Sequence, residues 1–142
     1  MGLDVYAVRP GDPGVTSHAT LKKPVTFSWL APEALDVFEA VGRNYPDGLM
    51  WPSDGDVTGF RGAVYQEWVH KTFGLSLYEL TDSGQVSELA DQLEGWLATS
   101  RASGTVVVQL DEGSTTPLSG IEALARFLRA AADQKLWLYP DY

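Results

Sequence analysis

Thr105-Val106-Val107-Val108-Gln109-Leu110 is an almost unbroken β-branched and apolar run, and the fold turns on how the chain continues beyond it. Ser119 stands as a plausible helix cap. Behind it Ile121, Leu124, Ala125, Leu128 and Ala131 recur at helical spacing. Leu136-Trp137-Leu138-Tyr139 then reads as a closing strand. Strand, helix, strand is the make-up of a crossover unit, which predicts two parallel strands, the first covered on both faces. The expected fold is α+β or α/β, with one mixed sheet of about four to five strands, about four helices and a C-terminal βαβ unit.

Working toward the N-terminus, residues 84–100 carry the clearest amphipathic stripe. Val86, Leu89, Ala90, Leu93, Trp96 and Leu97 fall on one side, with Glu88, Asp91, Gln92 and Gly95 opposite. A second helix is predicted over residues 62–73, with Val64, Tyr65, Trp68, Val69 and Thr72 inward and Gln66, Glu67, His70 and Lys71 outward. Residues 75–80 read as a short extended piece. Pro32 suits a first helical position, and Leu35, Phe38 and Val41 extend that helix to about Arg43. Strands are predicted at Leu3-Asp4-Val5-Tyr6-Ala7-Val8 and at Val25-Thr26-Phe27-Ser28-Trp29. Residues 44–59, rich in Pro, Gly and Asp, read as a long loop of the sort that often carries function.

The chain has 142 residues, of ordinary size for one domain spanning 1–142. It contains no cysteine, so disulfides, thiolate metal sites and a cysteine nucleophile are excluded. No apolar run approaches bilayer length, so no membrane is expected. The opening Met1-Gly2-Leu3-Asp4 lacks the basic and apolar regions of a secretory signal, which makes a reducing cytoplasm the simplest compartment.

The formal net charge is −9, and it is clustered. Residues 31–60 and 81–112 each carry six acids and one base, while the remainder is close to neutral. Such a surface repels phosphate backbones, so no nucleic acid is expected. It suits a basic protein partner, or serves solubility alone.

Asp111 and Glu112 lie at the carboxyl end of the buried strand, ahead of Ser114, Thr115, Thr116 and a helix N-terminus. Ligands of open parallel sheets bind at such ends, and these residue types suit a divalent cation or an oxyanion; a solvated loop with a cap needs the same ones. Asp54-Gly55-Asp56-Val57-Thr58-Gly59 copies the opening of a calcium loop, but Arg61 and Tyr65 stand where that loop needs an apolar residue and a glutamate. An Asp/Gly turn is the better reading. His18 and His70 are the two histidines, too few for a zinc site, and no cofactor is expected. Glu67 and His70 have the spacing of a surface pair, and of an acid–base pair. Trp51, in an acidic loop beside Met50, reads either as an interface anchor or as buried by the loop. Arg61 suits a clasp with Asp54, Asp56 or Glu79; with Tyr65 and Glu79 it would also suit a small carboxylate or anion.

Met1-Gly2-Leu3-Asp4, Phe60-Arg61-Gly62 followed by Tyr65 and Trp68, Leu77-Tyr78-Glu79-Leu80, and an Ala-rich helix before an aromatic strand together form a pattern. It resembles a group of small uncharacterised bacterial and phage proteins. The resemblance implies an accessory protein and carries over no catalytic residue. Where that group tends to have Asp/Glu-Gly after the Leu-Tyr-Glu-Leu element, this chain has Thr81-Asp82-Ser83-Gly84, which puts any ligand role for that turn in doubt. The expectation is a non-enzymatic acidic protein, of immunity, inhibitor or accessory type, that recognises a basic protein. The alternatives are a small metal- or anion-dependent enzyme at the end of the 105–110 strand, and a structural accessory protein. Oligomeric state stays open.

Overall fold

The computed structural model describes residues 3–9, 27–28, 49–50, 56–57, 59–111 and 113–141. Its elements run β1 (Asp4–Val8), β2 (Phe27–Ser28), β3 (Leu49–Met50), β4 (Asp56–Val57), β5 (Gly59–Arg61), α1 (Gly62–Phe73), α2 (Ser83–Ala102), β6 (Val107–Asp111), β7 (Ser114–Pro117), α3 (Leu118–Asp133) and β8 (Trp137–Asp141). The expected helix over residues 32–43 lies outside the described residues.

The chain is α+β, and the expectation of one mixed sheet with about four helices and a βαβ unit is corrected. Three helices are described, and the strands form separate ladders. The main sheet has β1 at its centre, with β5 and β8 antiparallel on either side and the two-residue β3 paired onto β5. β2 pairs with β4, and β6 pairs with β7. The crossover fails because Ser114-Thr115-Thr116-Pro117 is itself a strand, so the chain turns back at once as an antiparallel hairpin. β8 then runs antiparallel to the N-terminal β1, pairing Val5 with Pro140 and Ala7 with Leu138.

Further expectations change with it. β6 is not covered on both faces: Val108 and Leu110 are buried, while Val107 and Gln109 point outward. Residues 75–80 form no strand, and a turn at Leu77–Tyr78 stands in place of the expected extended piece. α3 begins at Leu118 with Pro117 at its cap position, so Ser119 caps nothing. The 44–59 stretch contains β3, β4 and the start of β5 rather than loop alone.

One face of the main sheet contributes Val5, Ala7, Phe60 and Leu138 to the core. The helices close over them with Tyr65 and Val69 from α1, Val86, Leu89, Ala90, Leu93 and Leu97 from α2, and Ile121, Leu124, Phe127 and Leu128 from α3. α2 against α3 is the most extensive contact between elements.

α2 starts with a reciprocal cap. Asp82 Oδ1 accepts from the Gln85 N–H at 2.9 Å, and Gln85 Oε1 accepts from the Asp82 N–H at 3.2 Å. Two helix-end donors are thereby satisfied. Just before it, Thr81 N donates to Leu138 O at 3.0 Å and Leu138 N to Thr81 O at 2.9 Å, which ties the helix start to the outer edge of β8. Asp82→Ala is expected to lower the unfolding free energy by about 1 kcal/mol, read from urea titration followed by circular dichroism. An unchanged midpoint would show that the Thr81 bridge alone fixes this helix start.

Candidate functional site

α1 and β6 lie side by side because Trp68 and Val69 on one and Val108 and Leu110 on the other enter the same core. Their remaining side chains border a groove of about 890 Å³. α1 supplies Glu67, Trp68, His70, Lys71 and Thr72, and β6 supplies Gln109, Leu110 and Asp111. Trp68 forms a rigid apolar wall, packed edge-on against Trp96 at 5.0 Å and Phe73 at 5.5 Å between ring centroids. Around it stand two carboxylates, one ammonium and one imidazole.

The groove gathers Asp111 and the Glu67–His70 pair, which the sequence singles out separately. Their setting differs from the expected one. Asp111 does not precede a helix N-terminus; it opens the hairpin turn, where its Oδ1 accepts from the Gly113 N–H at 2.9 Å. Gln109 Nε2 braces the same turn by donating to Asp111 O and, at 3.3 Å, to Ser114 O. Among the described residues no three His, Asp or Glu side chains converge as a metal-holding group. Glu112 lies outside the described residues, as do Trp51 and Asp54; of Asp56 the backbone alone is described, in β4 opposite Ser28.

Arg61, Tyr65 and Glu79 occupy different surroundings. Arg61 precedes α1, and its Nε lies 3.8 Å from Asp4 Oδ1 on the neighbouring strand. Tyr65 is fully buried, edge-on to Phe60, and its hydroxyl donates to Gly120 O at 3.4 Å. Glu79 is exposed and borders a smaller cavity of about 220 Å³ with Ser76, Gln85, Glu88 and Gln92. The described lining of that cavity contains neither Arg61 nor Tyr65.

The outer face of α2 carries Glu88, Asp91 and Glu94, all exposed. Arg129 of α3 reaches across to Asp91 and Glu94. Its Nε donates to Glu94 Oε2 at 2.9 Å, its Nη2 to Glu94 Oε1 at 2.8 Å, and Nη2 also meets Asp91. The hydrogen bond from Arg129 holds the Glu94 carboxyl below its ordinary pKa, against the opposing effect of burial. A depressed carboxylate pKa stabilises the fold above the unfolded-state value and stops doing so as pH falls through the folded-state value. Glu94→Gln is therefore expected to cost about 0.5–1 kcal/mol at pH 7, with the gap to the parent closing below about pH 4. Urea titrations of both proteins at pH 7, 5 and 3 read this directly; a gap that persists at pH 3 would assign the effect to packing.

Sequence reading passes over two features, one in the groove and one on the strand beside it. Trp68, assigned to the core, is also its wall, and Val106 and Val107 are left largely exposed at the start of the hairpin. The available signal was the absence of any charge across residues 105–110. Comparison with known protein families, curated proteins and solved structures finds no match. No described helix is long and apolar enough to cross a membrane.

Proposed function

We infer that this chain is a non-enzymatic acidic binding protein, of immunity, inhibitor or accessory type, whose partner is a basic protein. The observation that carries this reading is the placement of the negative charge. The net charge is −9, and the acids on the outer face of α2 outnumber the one arginine, Arg129, that answers two of them. Clustered surface charge of one sign attracts a partner of the other and raises its rate of encounter. The groove between α1 and β6 supports the same reading, since it offers an indole wall with polar groups around it, a composition common at recognition surfaces.

The test is affinity capture with the full chain from lysate of its own host, at low and at high ionic strength. The expected result is one stoichiometric protein of basic isoelectric point, retained at about 0.05 M salt and released at about 0.5 M, where exposed charges are screened within a few ångströms. A stoichiometric partner that is acidic, or one whose retention ignores salt, would overturn the reading.

A further inference from the structure

Among the described residues, β6 is paired on one side alone. On the main sheet, the β8 edge is engaged at Leu138 by the paired hydrogen bonds to Thr81. The β6–β7 ladder has two strands, and among the described residues neither pairs with any other. The register shows which main-chain groups turn outward. Leu118 N donates to Val106 O at 2.9 Å, and Val108 stands opposite Thr116, two residues further along each strand. Antiparallel pairing alternates, so residues 106 and 108 turn their N–H and C=O groups toward β7, and Val107 and Gln109 turn theirs toward the outer edge.

The two edges of this ladder are not equivalent. On β7 the residue opposite Val107 is Pro117, which has no N–H to offer, and that edge is blunted. β6 has no proline, and its register irregularity falls at its far end, between Gln109 and Asp111. Residues 105–110 contain neither charge nor proline. Val106 is 73% exposed and Val107 56%. Consecutive strand residues point to opposite faces, so the start of β6 is bare on both. An uncharged β-branched edge of this kind is a template for another strand. At its far end it borders the groove of Trp68, Glu67 and Asp111.

We propose that the outer edge of β6 is the docking strand, to which an extended segment of the basic partner adds as a further strand. The segment exchanges main-chain hydrogen bonds with Val107 and Gln109 and sets alternate Lys or Arg side chains against Glu67 and Asp111. This inference rests on the acidic-binding reading above. In strand addition, main-chain bonds supply affinity and alternate side chains supply specificity. Charge selects the occupant. A second copy would bring a further net charge of −9 against a chain of the same charge, whereas a cationic segment meets a chain of opposite sign.

The probe is an acetylated and amidated peptide of four Lys-Val repeats, titrated into the isotope-labelled full chain and followed by amide resonances. Binding is expected to shift the Val107 and Gln109 amides and slow their hydrogen exchange. The same peptide with every amide N-methylated keeps its charge but cannot pair, and its affinity is expected to be roughly tenfold lower. Val107→Pro, which removes an outward N–H and leaves the bonds to β7, is expected to weaken the parent peptide by a similar factor. The methylated peptide keeps the test valid should that variant fold poorly. Equal binding of both peptides, with shifts away from β6, would overturn strand addition while leaving the acidic-surface reading in place. No binding of either peptide at low salt would overturn both. Concentration-dependent dimerisation abolished by Val107→Pro would put a second copy on the edge and overturn the proposal.

Discussion

Truncating Phe127 to alanine is expected to lower the unfolding free energy by about 3–5 kcal/mol. Phe127 is fully buried on α3, and its ring meets Phe60 edge-on, with centroids 5.6 Å apart and planes at 74°. Phe60 in turn meets Tyr65 at 6.1 Å and stands opposite Val5 in the register of β5 on β1. Through Phe60, Phe127 thus links α3 to the sheet and to α1. The cost has two parts, the lost transfer energy of the ring and the cavity that the surrounding rings, fixed from three elements, cannot collapse to fill. Set against a usual domain stability of about 5–15 kcal/mol, the loss brings the variant close to its unfolding threshold at 37 °C. Urea titration with tryptophan fluorescence and far-ultraviolet circular dichroism measures it. A loss under about 1 kcal/mol would mean that α3 is held by α2 alone.

Phe127 also shows where sequence reading stops. The stripes of α2 and α3 are legible because each helix shows one apolar arc to its neighbour, and nearly all of their members are buried, Trp96 being half-buried against the core. Phe127 falls outside the arc of Ile121, Leu124, Ala125, Leu128 and Ala131, and is buried because α3 is covered by the sheet as well as by α2. Periodicity within one element reports the existence of a face, not the number of neighbours. The hairpin is a failure of another kind. Val106, Val107 and Val108 look alike in sequence, and their different burial comes from what stands beside them. Ser114 to Pro117 carries residue types that serve a loop, a cap or an edge strand equally. Strand pairing across the whole chain, β8 on β1, leaves no local trace at all.

The candidate site divides along the same line. Glu67, His70 and Asp111 are individually legible, the first two from the polar arc of α1 and the third from its place at a strand end. Their convergence on one groove depends on the docking of α1 beside β6, a contact between segments some forty residues apart in the sequence. The mistaken crossover placed Asp111 at a sheet's ligand-binding end. The hairpin places it at a turn, where part of its carboxylate is already engaged by Gly113. Recognition through the neighbouring strand edge then draws on main-chain groups, which no residue pattern displays.

Gly62→Ala is expected to destabilise the fold by about 1–3 kcal/mol, although alanine favours a helix interior over glycine by about 1 kcal/mol. A Cβ at position 62 would lie 2.7 Å from Val5 Cγ2 and 2.8 Å from Leu3 Cγ and Cδ2, nearer than carbon atoms approach. Both neighbours are buried, and the Ala63 N–H donates to Leu3 O at 3.1 Å, which ties the start of α1 to the strand it would need to leave. Overpacking therefore outweighs propensity here, the more so because position 62 is the first of the helix, where propensity counts least. Gly95→Ala supplies the opposing case. It lies within α2 with nothing within 4 Å of its added Cβ, so the same substitution is expected to stabilise by about 0.5–1 kcal/mol. Thermal unfolding of the two variants should move the midpoint in opposite directions. If Gly62→Ala raised it, α1 would be free to move off β1, and the groove that α1 shares with β6 would have a movable wall.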